Sequence, residues 1–218
     1  MQALLKAPRA SLIFSLIAIA GLGVFILAVG VLMQPAVQLV GQERTAELVC
    51  LQLAFTPERA SEVLLAFDAA GREGVAGLLI PGDFTLAWGY GLVLFGLLGL
   101  LLVRLPESWQ QLGAIFIWAP LVASLLDCIE NIFLYAIVTQ LIDNPDVLVS
   151  PMLTITGSSV ASLKWIALAV VTPVFGFAAT AKGIAVDRRV TSWIVYVLLS
   201  ISLLSMVAKP IQDFPACF

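Results

Sequence analysis

The chain of 218 residues contains no histidine. Without an imidazole there is no Ser-His-Asp or Cys-His nucleophile, no HExxH zinc motif and no histidine-ligated haem. The sequence also lacks GxxxxGK[ST] and GxGxxG, so nothing points to a phosphate-cradling loop or a dinucleotide fold. Its cysteines, Cys50, Cys128 and Cys217, form no Cys-x-x-Cys pair, which argues against thiol-disulfide oxidoreductase chemistry. No metal site and no cofactor are expected.

Charge is scarce as well. Charged residues make up 11% of the chain, against about 25% for a water-soluble globule. The formal net charge is −3 and no basic run alternates with aromatics, which excludes nucleic acid as a partner. The apolar share is 61% and the mean hydropathy +1.07, so a lipid bilayer must solvate most of the surface.

Five apolar runs reach bilayer length: Ser11 to Met33, Phe84 to Val103, Leu112 to Ile142, Leu153 to Thr180 and Thr191 to Ala208. Each can cross roughly 30 Å of hydrocarbon as a helix rising about 1.5 Å per residue. They lack the alternation of barrel strands, and backbone polar groups in lipid must be satisfied within their own segment. The expected fold is therefore an all-α integral membrane protein: one domain over residues 1–218, built as a five-helix bundle. Pro120 and Pro173 fall inside the two longest runs and predict tilts or kinks.

Lys6 and Arg9 precede the first run, which exceeds a signal-peptide core of about 7 to 15 residues and reads as a retained anchor. Lys6, Arg9, Arg104, Lys182, Arg188 and Arg189 gather on one side of a five-span topology. They place the N-terminus in the cytoplasm and the C-terminus outside, in a bacterial inner membrane. Trp88, Trp109 and Trp193 fall near span ends, as interfacial aromatics do.

Residues 34–83 then form the first outer connection. Thr56-Pro57-Glu58 reads as a helix start, with a hydroxyl cap, proline in the first turn and an acid at the positive end of the dipole. Ala60, Val63, Leu64 and Phe67 follow at helical spacing, with Gly71 as the stop. Ala46, Val49, Cys50 and Leu53 form a similar stripe. One or two short amphipathic helices are expected here, on the membrane surface or capping the bundle. Pro81-Gly82-Asp83 makes the turn into the second span. Cys50 and Cys217 both fall outside, where a disulfide can persist; the sequence leaves that pairing open.

Ionisable residues inside spans are costly in lipid and mark partnered or watery sites. Asp127, Glu130 and Asn131 are spaced i, i+3 and i+4 on one face of the third span. Lys164 lies in the fourth. Counted from the span ends they joined, Glu130 and Lys164 both lie about 17 to 18 Å deep. The short link between the two spans makes them antiparallel neighbours, so a buried pair of Lys164 with Asp127 or Glu130 is expected. Asp83 and Tyr90 extend the polar set from the second span. Two acids on one lysine require a proton or a second cation.

The succession of Thr56-Pro57-Glu58, Asp83 to Tyr90, Pro120 with Asp127-x-x-Glu130-Asn131, and Lys164-Trp165 resembles small multi-pass bacterial membrane proteins of unassigned function. The resemblance spans residues 55–166 and implies no activity. From the residues alone, the leading reading is an ion- or small-solute-binding membrane protein, with Asp127, Glu130, Asn131, Lys164, Tyr90 and Asp83 as its site. A non-catalytic accessory subunit is the alternative. Small-residue faces (Ala87/Gly91, Gly157/Ala161, Ser158/Ser162) suit close helix packing, within the chain or in homo- or hetero-oligomer contacts. A lipid-modifying enzyme using a carboxylate as acid or base is the third, less favoured reading.

Overall fold

The computed structural model describes all residues except Gln42, Glu43, Thr45, Ala46, Arg188, Phe214, Pro215, Ala216 and Phe218, and the side chains of Val190, Thr191 and 209–213. Ala46 and Arg188, which entered the expectations above, therefore lie outside the described residues. Every regular element among those described is helical.

Four continuous helical stretches are long and apolar enough to cross a membrane: Ala10–Leu32, Ala69–Leu102, Glu107–Asp143 and Pro151–Val186. A shorter apolar helix covers Ser192–Ala208. The surface agrees with that solvent. Leu16, Ile19 and Ile26 on the first stretch, and Ile194, Ile201 and Leu204 on the last, are large apolar side chains left exposed. In water such a surface would aggregate; in lipid it is solvated.

The elements run as follows. A short α1 (Gln2–Leu5) leads to α2 (Ala10–Leu27), which continues through a π-helical turn at Ala28–Leu32. Four short helices follow: α3 (Gln34–Val40), α4 (Glu47–Gln52), α5 (Pro57–Leu65) and α6 (Ala69–Gly77). The bundle resumes with α7 (Phe84–Leu102), α8 (Glu107–Phe116), α9 (Ala119–Asp143), α10 (Pro151–Trp165), α11 (Thr172–Val186) and α12 (Val190–Asp213). α2 packs along α7, α9 lies between α7 and α10, and α12 lies against α11 and α7.

Both prolines lie where the regular α-helix is interrupted. Pro120 sits in the first turn of α9, just after the chain breaks from α8 at Ile117 and Trp118. Pro173 opens α11 after a second π-helical stretch, Ile166–Val171, where the Thr172 hydroxyl donates to the Ala167 carbonyl at 2.8 Å. A missing N–H costs little where the helix is already re-registering.

The α2–α7 contact depends on glycine. A Cβ at Gly89 would lie 2.7 Å from the Phe25 backbone, and one at Gly96 2.6 Å from the Ala18 nitrogen. Gly23, on the same helix pair, faces open space. Alanine at Gly89 or Gly96 should therefore lower the thermal midpoint in lipid nanodiscs, by an overpacking cost of about 1–3 kcal/mol. Gly23→Ala should leave it unchanged or raised, since alanine is the better helix former. Equal responses at the three positions would contradict this packing.

Two cores result. One lies between α2, α7, α9, α11 and α12 and includes Phe14, Leu98, Leu101 and Tyr196. The second is built by the 34–83 connection: Val40, Leu51, Val63, Leu64, Phe67 and Leu78 pack onto Leu134, Ile137, Val138 and Leu141 of α9. The short helices thus enclose the last turns of α9. At 25 residues, and about 1.5 Å per residue, α9 is longer than a bilayer core needs.

Thr56 caps α5, its hydroxyl accepting from the Arg59 N–H at 3.3 Å. Gly71 does not stop that helix. α5 ends at Leu65, and Asp68 caps the next helix by accepting from the Gly71 N–H at 2.7 Å. A carboxylate aimed at the free N–H groups of a first turn starts a helix, and that local bond outweighs the tendency of glycine to end one. The turn at Pro81-Gly82-Asp83 is a kink: Ile80 is extended (φ −134°, ψ 118°), the Ile80–Pro81 bond is cis, and α7 begins at Phe84.

The far end of the bundle carries much of the basic charge. Lys6 pairs with Glu107 at 2.5 Å, tying the N-terminal segment to α8. Asp187, between α11 and α12, accepts from the Ser192 hydroxyl and the Arg189 N–H, and these bonds hold its carboxyl below the usual carboxylate range.

Candidate functional site

Asp127, Glu130 and Asn131 share one face of α9, as a spacing of three and four residues dictates, and all three are buried. Lys164 comes from α10 and is 2% exposed. Its ammonium lies 3.0 Å from Asp127 Oδ1 and 2.6 Å from Glu130 Oε2. It therefore bridges both acids, where the sequence suggested one or the other. Tyr90 donates its hydroxyl to Asp127 Oδ2 at 2.7 Å. Asn131 donates to Asp83 Oδ2 at 3.1 Å. The six residues singled out from the sequence form two bonded groups that meet on one face of α9: Tyr90, Asp127, Glu130 and Lys164 in one, and Asn131 with Asp83, just before α7, in the other.

Gln52 of α4 joins them. Its side-chain oxygen accepts from Lys164 Nζ at 3.3 Å and from Trp165 Nε1 at 3.2 Å. No sequence signal marks Gln52, because its role depends on how α4 folds back onto the bundle. The turn that follows explains the placement. Phe55 takes a left-handed backbone conformation (φ 50°), unusual for an aromatic residue. Its N–H donates to Ser158 Oγ on α10 at 3.0 Å, which fixes α4 beside Lys164. Trp165, the neighbour of Lys164 on α10, is held at the polar set by Gln52.

Asp83 directly precedes α7, and Tyr90 is about two turns further along it. Both fall well inside the stretch Ala69–Leu102, as Asp127 and Glu130 do in Glu107–Asp143 and Lys164 in Pro151–Val186.

A partly open cavity of about 640 Å³ reaches the polar set. Asp83, Tyr90, Asp127, Lys164, Gln52 and Trp165 line one part. The remaining wall is almost wholly apolar, with Phe25 and Val29 on the α2 side, Leu86 on α7, Leu134 on α9, Leu168 after α10 and Met206 on α12. A space with one polar end and long apolar walls suits a molecule of the same division.

Charge and hydrogen bonding at the polar end are not balanced. Three carboxyl groups surround one ammonium. Glu130 Oε1 and Asn131 Oδ1 are buried without a hydrogen-bond donor, and orphaned acceptors of this kind call for a proton, a water or a ligand. Among the described residues no group of acids and cysteines is arranged to hold a metal ion. Cys128 is buried as a free thiol, whereas Cys50 and Cys217 form a disulfide.

Small residues on α7 and α10 serve contacts within the chain. Ser124 of α9 donates to the Ala87 carbonyl at 2.7 Å and packs on Gly91, while Gly157 faces Phe133. Comparison with family models, curated proteins and solved structures finds no match in any of the three.

Proposed function

We propose that this chain is an inner-membrane protein with five crossings that binds a small amphiphilic molecule in the bilayer plane. The polar group of that molecule rests on the Asp83, Tyr90, Asp127 and Lys164 set. The observation that carries this reading is the cavity: about 640 Å³, apolar along most of its wall and ionisable at one end. A simple ion or a hydrophilic solute has no use for such walls. A dry accessory subunit has no use for the space.

Five crossings are supported by parity. The Cys50–Cys217 bond supports a C-terminal segment on the same side as the 34–83 connection. An even number of crossings between them is then required, which favours α12 as the fifth. Disulfides persist on the oxidising side of a membrane, and the opposite end carries Lys6, Arg9, Arg104, Lys182 and Arg189. Both features support a cytoplasmic N-terminus and an external C-terminus.

The test is to extract the protein from its native membrane into nanodiscs and identify copurifying small molecules by mass spectrometry, beside the cavity-filling variant Leu168→Trp. The parent should carry an amphiphile in near-stoichiometric amount and the variant should lose most of it. Identical extracts from two equally folded proteins would overturn the proposal.

A further inference from the structure

We infer that the molecule bound in this cavity carries a protonated amine, an inference that rests on the amphiphile reading above.

Among the described residues, Lys164 is the only cationic side chain lining the cavity, and it is already engaged. Its ammonium donates to Asp127 Oδ1 at 3.0 Å and to Gln52 Oε1 at 3.3 Å, and is ion-paired with Glu130 Oε2 at 2.6 Å. The Tyr90 hydroxyl is committed to Asp127 and the Trp165 N–H to Gln52. A carboxylate or phosphate headgroup entering the cavity would find no free ammonium. It would face Asp83 and Asp127 at close range, and like charges in a poorly solvated pocket repel strongly.

Acceptors, by contrast, are in surplus. Asp83 lines the cavity, and only its Oδ2 is engaged, by Asn131. Glu130 Oε1 and Asn131 Oδ1 are buried with no donor. They lie within one side chain of the cavity wall, since Glu130 touches Lys164 and Asn131 touches Asp83. An alkylammonium group supplies both missing quantities, N–H donors and positive charge. Asp83 is its anchor, and charge-assisted bonds of this kind are the strong ones. The alkyl chain then lies along Leu86, Leu168 and Met206. α2 and α12 each contribute wall to this partly open cavity without extensive packing on one another.

Three probes of one chain length decide the matter: decylammonium, 1-decanol and decanoate, titrated into the full chain in nanodiscs at matched membrane concentrations and read by the shift in thermal midpoint. A ligand that binds only the folded state raises the midpoint. Decylammonium should act at about tenfold lower concentration than decanol, the effect of one charge-assisted bond, and decanoate should do least. Asp83→Asn should abolish the advantage of the amine and leave decanol unchanged. If decanoate is best, or the three act alike, the amine is wrong and the amphiphile reading stands. If none of the three shifts the midpoint, both fall. The ranking in the parent decides the question even if the Asp83 variant folds poorly.

Discussion

Lys164→Met should cost the protein about 3–5 kcal/mol of stability, the usual penalty for removing one partner of a buried ion pair. Methionine fills a similar volume, so the loss is electrostatic. It is also unequal between the two acids. Asp127 keeps its bond from Tyr90, whereas Glu130, fully buried, loses the one cation paired with it among the described residues and has no hydrogen-bond donor there. The rescue should follow that inequality. Lys164→Met with Glu130→Gln should regain most of the folded yield, and Lys164→Met with Asp127→Asn less. Size-exclusion yield and thermal midpoint in one detergent would measure both. Equal rescue by the two, or no loss in the single variant, would show that Lys164 does not bridge the acids.

The second large effect concerns the disulfide. It joins residues 167 apart in sequence and fastens α4 to the segment after α12. α4 carries Gln52 to the polar set, and α12 supplies Met206 to the cavity. Losing a native cross-link commonly costs about 2–5 kcal/mol. Here the loss should fall on the cavity. Cys50→Ser or Cys217→Ser should lower the thermal midpoint, and each should remove most of the bound amphiphile while the rest of the bundle stays folded, because the cores around α7 do not depend on α4. Maleimide should label these cysteines only after reduction. Labelling of the untreated protein at both positions would contradict the bond and the parity argument built on it.

Much of this site could be read from the chain before its shape was known. A carboxylate in lipid demands a partner, so Asp127, Glu130 and Lys164 identify one another by cost alone. Helical periodicity put Asp127, Glu130 and Asn131 on one face, and the short link between α9 and α10 made those helices neighbours. Periodicity does not say how one face is divided. Asn131 turns to Asp83, Glu130 to Lys164, and Asp127 to both Lys164 and Tyr90. Gln52 was illegible because its position follows from a left-handed Phe55 and a bond to Ser158, a residue 103 positions away. The cavity was illegible for the same reason: its walls come from elements far apart in the sequence, from Phe25 on α2 to Met206 on α12. Gly71 misled because two local signals compete there, and the Asp68 cap prevails.

The account as a whole needs an ammonium held between acids, away from water. Lysine labelled with nitrogen-15 at Nζ reports this in the intact protein in nanodiscs. A slowly exchanging ammonium resonance should appear, vanish in Lys164→Met, and shift in both Glu130→Gln and Asp127→Asn. If every lysine ammonium exchanges as fast as the exposed Lys6, no buried polar centre exists and the cavity has no charged end.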